Sequence, residues 1–119
     1  MKKSIVYLLL IFVSLSCEDI IEVPDISEKE VTVLAPTDNV LLAETSINFA
    51  WNGVEDADTY RLQIATPDFE TTTQIVLDTT ITATNFTKAL DLGTYQWRVR
   101  AENSDYQTNY TTQSFSVEE

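Results

Sequence analysis

Histidine is absent from this chain of 119 residues, and cysteine occurs once, at Cys17. Without an imidazole there is no Ser-His or Cys-His pair, and one cysteine can close no intrachain disulfide and build no Cys or His metal cage. Positive charge is scarce as well. Seven Lys and Arg stand against nineteen Asp and Glu, for a formal charge of −12. Nucleic acid binding depends on clustered basic residues that displace condensed counterions, so this balance argues against a nucleic acid partner and for a soluble surface. A membrane-spanning run is also missing, because the apolar stretch from Ile5 to Val13 is shorter than the ~20 residues that cross a bilayer. The hydrophobic content of 44% is ordinary for a globular protein, and the length suits one core.

What is present begins with an address. Lys2 and Lys3 precede the apolar stretch, and Ser14, Leu15, Ser16 and Cys17 follow it. A charged start, an apolar middle and a small-residue end make a secretory signal, here residues 1 to 16, expected to be removed. Loss of the two lysines makes the mature chain two charges more acidic. Cys17, directly after this segment, resembles the lipobox cysteine of bacterial lipoproteins, although Ser14 stands where the usual pattern has an aliphatic residue. The resemblance implies acylation of Cys17 and a membrane held by the lipid; cleavage by the ordinary signal peptidase is the alternative that Ser14 and Ser16 permit. Glu18 and Asp19 resemble the acidic cluster that sends Bacteroidota lipoproteins to the outer face of the outer membrane, which implies a cell-surface location. Otherwise they belong to a solvated acidic linker.

Residues 17 to 30 are expected to form the lipidated cysteine and an extended acidic tether, reaching at most ~45 Å. From Val31 the chain changes to short β-branched and aromatic runs between turn residues, the spacing of a sandwich. Ile47, Phe49 and Trp51 alternate with polar or small residues, as do Tyr60, Leu62 and Ile64, and Tyr95, Trp97, Val99 and Ala101. This is the period of strands with one buried face. Gln74 to Thr79 and Thr82 to Thr87 read as weaker, Thr-rich strands, and Tyr110 to Val117 as the last. The count is seven strands, and the fold class is all-β.

Particular residues carry a family resemblance over Val31 to Val117. Trp51 matches the tryptophan that ends the second strand of fibronectin type III domains, and Tyr60 the tyrosine that opens the third. Leu90, Leu92, Gly93, Thr94 and Tyr95 resemble the family's Leu-x-Pro-Gly-Thr-x-Tyr corner, one residue short and without its proline, and residues 95 to 103 resemble the sixth strand. The resemblance implies a seven-stranded fibronectin type III or immunoglobulin-like sandwich over 31 to 119. Within it Trp51 fills the centre, and the Tyr95 hydroxyl bonds back to nearby backbone. No Arg-Gly-Asp triplet is present, so integrin recognition is not implied.

No residue stands out as catalytic, and no cofactor or metal is expected. Glu55, Asp56 and Asp58 offer hard oxygens, yet calcium takes six to eight ligands and the spacing is not that of an EF-hand. A glycosidase pair built from the same acids needs a cleft that so small a sandwich has little chain to form. The candidate binding residues are Asp56 and Asp58 in one loop and Asn103, Asp105 and Tyr106 in another, which the resembling fold places at one end. Their amides, acids and single aromatic have the composition of adaptable binding loops, and ordinary polar turns share it. Arg61, Gln63, Gln96, Arg98, Arg100 and Glu102 read as plain solvated strand surface. Thr79, in Asp78-Thr79-Thr80, resembles an O-glycosylation motif of exported Bacteroidota proteins. Three functions stay open: a noncatalytic surface module that binds or spaces, with a glycan or an envelope protein as candidate partner; a structural subunit of an outer-membrane complex; and a small carboxylate-dependent hydrolase.

Overall fold

The computed structural model describes residues 22–119, so the signal segment, Cys17, Glu18 and Asp19 lie outside the described residues. Among the described residues eight strands follow one another: β1 (Val33–Ala35), β2 (Val40–Leu42), β3 (Ser46–Trp51), β4 (Thr59–Thr66), β5 (Gln74–Ile81), β6 (Asn85–Ala89), β7 (Gly93–Glu102) and β8 (Thr111–Val117). They form a three-stranded sheet, β1-β3-β6, and a five-stranded sheet, β2-β8-β7-β4-β5. The fold class is therefore the all-β sandwich that the alternation predicts, with one strand more than the expected count. The extra strand arises because the first one is divided: β1 pairs with β3, and β2 crosses to pair in parallel with β8. Buried Pro36 lies at the crossing, where a residue without an N–H cannot continue a ladder. Its carbonyl accepts a hydrogen bond from the Trp97 indole at 3.3 Å.

The core follows directly from the period of two. Ile47, Phe49 and Trp51 of β3 face Tyr60, Leu62 and Ile64 of β4, Tyr95, Trp97, Val99 and Ala101 of β7, and Phe115 and Val117 of β8, and all are buried. Phe49 meets Trp97 and Phe115 edge-on at 5.1 and 5.7 Å between ring centres, and Tyr95 stacks on Phe115 at 5.4 Å. These are the offset and edge geometries that aromatic quadrupoles favour. The Trp51 indole N–H is buried with no hydrogen-bond partner among the described residues.

Two expectations shift. The strand expected at Thr82 to Thr87 is β6, Asn85–Ala89, because β5 continues to Ile81, which pairs with Tyr60, and Thr82 to Thr84 make the bend. A Thr-rich stretch carries no apolar alternation that would fix this register. The second difference concerns the tether. Ile26 is 0% exposed and belongs to the core, and Val31 is buried with it. The Asp25 carboxylate accepts from the backbone N–H and hydroxyl of Ser27, and Lys29 N–H donates to the Ile26 carbonyl, closing a turn that delivers Ile26 inward. From Pro24 onward the segment is thus part of the domain. One isolated isoleucine among acids shows no period, so the sequence pattern passes over it.

Candidate functional site

The loop after β3 and the loop after β7 lie together, as the fold analogy requires. Asn103 Nδ2 donates to the Asp56 carbonyl at 3.3 Å, and Asp58 N–H donates to the Glu102 carbonyl at 2.8 Å. Asn103 Oδ1 accepts from the backbone N–H of Asp105 and of Tyr106, an Asx turn that shapes the second loop. Asp56 adopts a φ of 70°, a left-handed conformation that Asp tolerates better than most residues. The Tyr60 hydroxyl accepts from Val54 N–H at 2.8 Å and so pins the first loop to β4.

These candidates are brought together, and part of their capacity is spent on the chain itself. Asn103 Nδ2 also donates to the Pro24 carbonyl at 2.9 Å, and Lys29 Nζ lies 3.6 Å from the Asp56 carboxylate and donates to the Glu55 carbonyl. The N-terminal segment therefore occupies one side of this end. Asp58, Asp105 and Tyr106, the last 37% exposed, remain on the surface. Among the described residues no group of three or more acids is gathered closely enough to hold a metal ion.

The two aromatics expected to be structural are so. Trp51 lies in the centre of the core, 6.3 Å from Trp97 between ring centres. The Tyr95 hydroxyl donates to the Asp91 carbonyl at 2.8 Å, so the shortened corner still makes its bond. Burial, and secondarily the Asp91 charge, raises the Tyr95 phenol above its usual pKa. Thr79 sits within β5 opposite Leu62, half-buried on the inner face, while its neighbour Thr80 is the outward residue. That placement disfavours modification of the folded chain at Thr79. A groove of about 290 Å³ opens between the edges of the two sheets, lined by Thr66, Gln74, Val76, Lys88, Asp91 and Tyr95, at the other end of β4 from the candidate loops.

The outer face of the five-stranded sheet departs from plain solvated surface. Arg61 makes a two-point pair with Asp78, Nε to Oδ1 at 3.0 Å and Nη2 to Oδ2 at 2.9 Å, which holds Asp78 below the usual carboxylate range. The Arg98 guanidinium lies between two rings, 4.0 Å from the centre of Phe69 and 4.4 Å from that of Tyr110, and Arg100 lies 4.8 Å from Tyr110. Such contacts add cation–π attraction to packing of the long side chains. Phe69 reaches Arg98 because its loop is folded back: Asp68 Oδ1 accepts from the N–H groups of Glu70 and Thr71, and Phe69 N–H donates to Gln96 Oε1 at 3.0 Å. Alternation identified these arginines as outward-facing. It carried no sign of Phe69, which lies in a loop, and Tyr110, expected to open the last strand, lies one residue before β8, which starts at Thr111.

Two sheets, a divided first strand and a tyrosine bonded across the corner before β7 define an immunoglobulin-like sandwich. Comparison with solved structures shows a fold like that of fibronectin type III domains. The chain is similar to fibronectin(III)-like modules of CbhA from Clostridium thermocellum, with a TM-score of 0.54, 11% identity, and coverage of 74% of this chain and 95% of that one. It is similar to the structure named FN3tt at a TM-score of 0.54, with 12% identity over 72% of this chain and 91% of that one. A fibronectin type III domain from the human KIAA0970 protein gives 0.53, with 13% identity over 74% of this chain and 72% of that one. At such identities the likeness concerns the fold alone. No protein-family model matches the sequence, and no curated protein matches it.

Proposed function

We propose that the chain is a noncatalytic cell-envelope lipoprotein whose fibronectin type III-like domain acts as a binding or spacer module, anchored through an acylated Cys17 at the outer face of the outer membrane. The observation that supports this most is where the N-terminal segment is fastened. Ile26 is buried in the core and the Pro24 carbonyl is bonded to Asn103, so the chain leaves the domain at the loop end. Between Cys17 and Pro24 an extended chain reaches at most ~25 Å. A lipid on Cys17 then keeps the loop end close to the membrane and turns the opposite end outward. The sheet faces, running along that axis, are the surfaces such an arrangement presents to a glycan or an envelope protein.

Fractionation tests this reading. Cys17→Ala is expected to leave the domain folded and to move the protein from the membrane fraction to the soluble one. Protease added to intact cells is expected to reach the wild-type protein. Retention of Cys17→Ala in membranes after a high-salt wash contradicts the anchor.

A further inference from the structure

Arg61 in β4 stands directly opposite Arg100 in β7, and Arg98 is the next outward residue along β7. Like charges directly opposed across a ladder repel each other, an expensive placement in a chain that has only seven basic residues in all. Each of the three guanidinium groups is nevertheless held in place. Arg61 Nε donates to Asp78, Arg98 Nε to Gln63 Oε1 at 2.8 Å, and Arg100 Nε to Glu102 Oε2 at 2.7 Å. With Phe69 and Tyr110 against Arg98 and Arg100, the two guanidinium planes are fixed. The terminal Nη atoms of Arg98 and Arg100 hydrogen-bond no residue among those described.

We infer that this guanidinium row is the ligand site of the module and that its ligand is a carboxylate-bearing sugar, a uronate, gripped by the free Nη atoms of Arg98 and Arg100. The inference rests on the binding form of the proposed function. Two N–H donors of one planar guanidinium match the two oxygens of a carboxylate; Arg61 does this side-on to Asp78 through Nε and Nη2, and with the Nε of Arg98 and of Arg100 already engaged, their paired Nη atoms offer the end-on fork. Fixing them in advance removes side-chain entropy that a ligand would otherwise have to overcome.

Size and charge narrow the occupant. The three arginines lie on β4 and β7; with Thr80 of β5 and Thr112 of β8 beside them the patch spans four strands at ~4.8 Å spacing and two outward positions along each, roughly 100 Å², against about 800 Å² per partner in a stable protein interface. That is a footprint for one or two sugar rings. Asp78 and Glu102 on the same face already offset Arg61 and Arg100, and the remainder of the chain is acidic, so a densely charged polymer is repelled, whereas one carboxylate on a largely neutral frame can be met by Arg98, which pairs with no acid among the described residues, beside Arg100. Exposed Thr80 beside Arg61 and exposed Thr112 beside Arg98 add hydroxyls at both ends of the row, where sugar hydroxyls need partners.

The test is a titration of the purified full-length protein, in detergent micelles at low salt, with an aldotriouronic acid, one uronate joined to a neutral disaccharide. Saturable binding with a Kd below about 1 mM is expected, weakened at least about tenfold in Arg98→Gln/Arg100→Gln. Added salt is expected to weaken it further, because the arginines are only partly buried, Arg100 keeping 17% of its side chain exposed. Should the double variant melt below wild type, Arg100→Lys decides, since it keeps the charge and loses the fork. Its expected result is about fivefold weaker binding at an unchanged melting temperature. No binding by the folded wild-type chain, equal binding of neutral maltotriose, or equal binding of penta-glutamate overturns the inference, as does unaltered affinity in the double variant or, where that variant melts below wild type, in Arg100→Lys. None of these outcomes bears on the anchor, which the Cys17→Ala fractionation tests separately.

Discussion

Replacing Ile26 by Ala probes whether the acidic N-terminal segment belongs to the folded unit. The side chain is fully buried in the core cluster and is held there by the Asp25–Ser27 turn and the bond between Asn103 and Pro24. Full burial of an isoleucine stabilises by about 1.5–3 kcal/mol, and truncation to Ala costs about 2–5 kcal/mol once the cavity is included. Against a total of about 5–15 kcal/mol, a loss near 3 kcal/mol is a large share. At about 4–8 °C per kcal/mol for a domain of this size, the melting temperature is expected to fall by about 12–24 °C. Urea denaturation followed by the fluorescence of Trp51 and Trp97 reads the loss directly. Ile26→Val, expected to cost only about 0.5–1.5 kcal/mol, separates a graded cavity from general disruption. An Ile26→Ala midpoint within about 0.5 kcal/mol of wild type would show that the segment lies off the domain, since surface substitutions stay within that range.

Other expectations follow from the same contacts. Trp51→Phe should cost less than Trp97→Phe by about 1 kcal/mol or more in urea denaturation, because Trp97 loses its bond to Pro36 whereas Trp51 loses an unpartnered N–H. Tyr95→Phe should cost about 0.5–1.5 kcal/mol at pH 7 through the lost bond to Asp91. The folded-state pKa of Tyr95 is raised, so the stability tied to it is present below the ordinary value near 10 and declines as pH rises beyond it. Alkaline melting curves should therefore flatten in Tyr95→Phe. At the acid end the sign reverses. Asp78, lowered by its hydrogen bonds with Arg61, stabilises above its unfolded value of 3.8 and loses that contribution as pH falls through the folded one, so Asp78→Asn should be less sensitive to acid. A glycan on Thr79 would have to enter the space beneath β5, and intact mass of the native protein is expected to show no hexose increment.

The strands that alternate over six or more residues were legible because burying one face imposes a period of two, and Trp51, Tyr60 and Tyr95 stand where the fold analogy puts them. Three features were not legible, each for a physical reason. The first strand divides at Pro36, and proline marks a break without saying which sheet receives the next residues. Ile26 is a single apolar residue in an acidic run, and one contact makes no pattern. At the candidate site, alternation placed Arg98 and Arg100 on an outer face, but the sandwiching of Arg98 depends on Phe69 and Tyr110, far apart in sequence and united only by tertiary structure. The loop candidates were found from composition and do converge. Composition could not reveal that Pro24 and Lys29 of the same chain would engage Asn103 and Asp56.

The central functional claim is that this domain is presented from a membrane by a lipid on Cys17. Intact mass of the protein purified from membranes, with sequencing of its first peptide, tests that claim most directly. A chain that begins at Cys17 and carries the added mass of acyl groups is the expected result. A chain that still carries residues 1 to 16, or one that begins elsewhere with an unmodified Cys17 thiol, would contradict it.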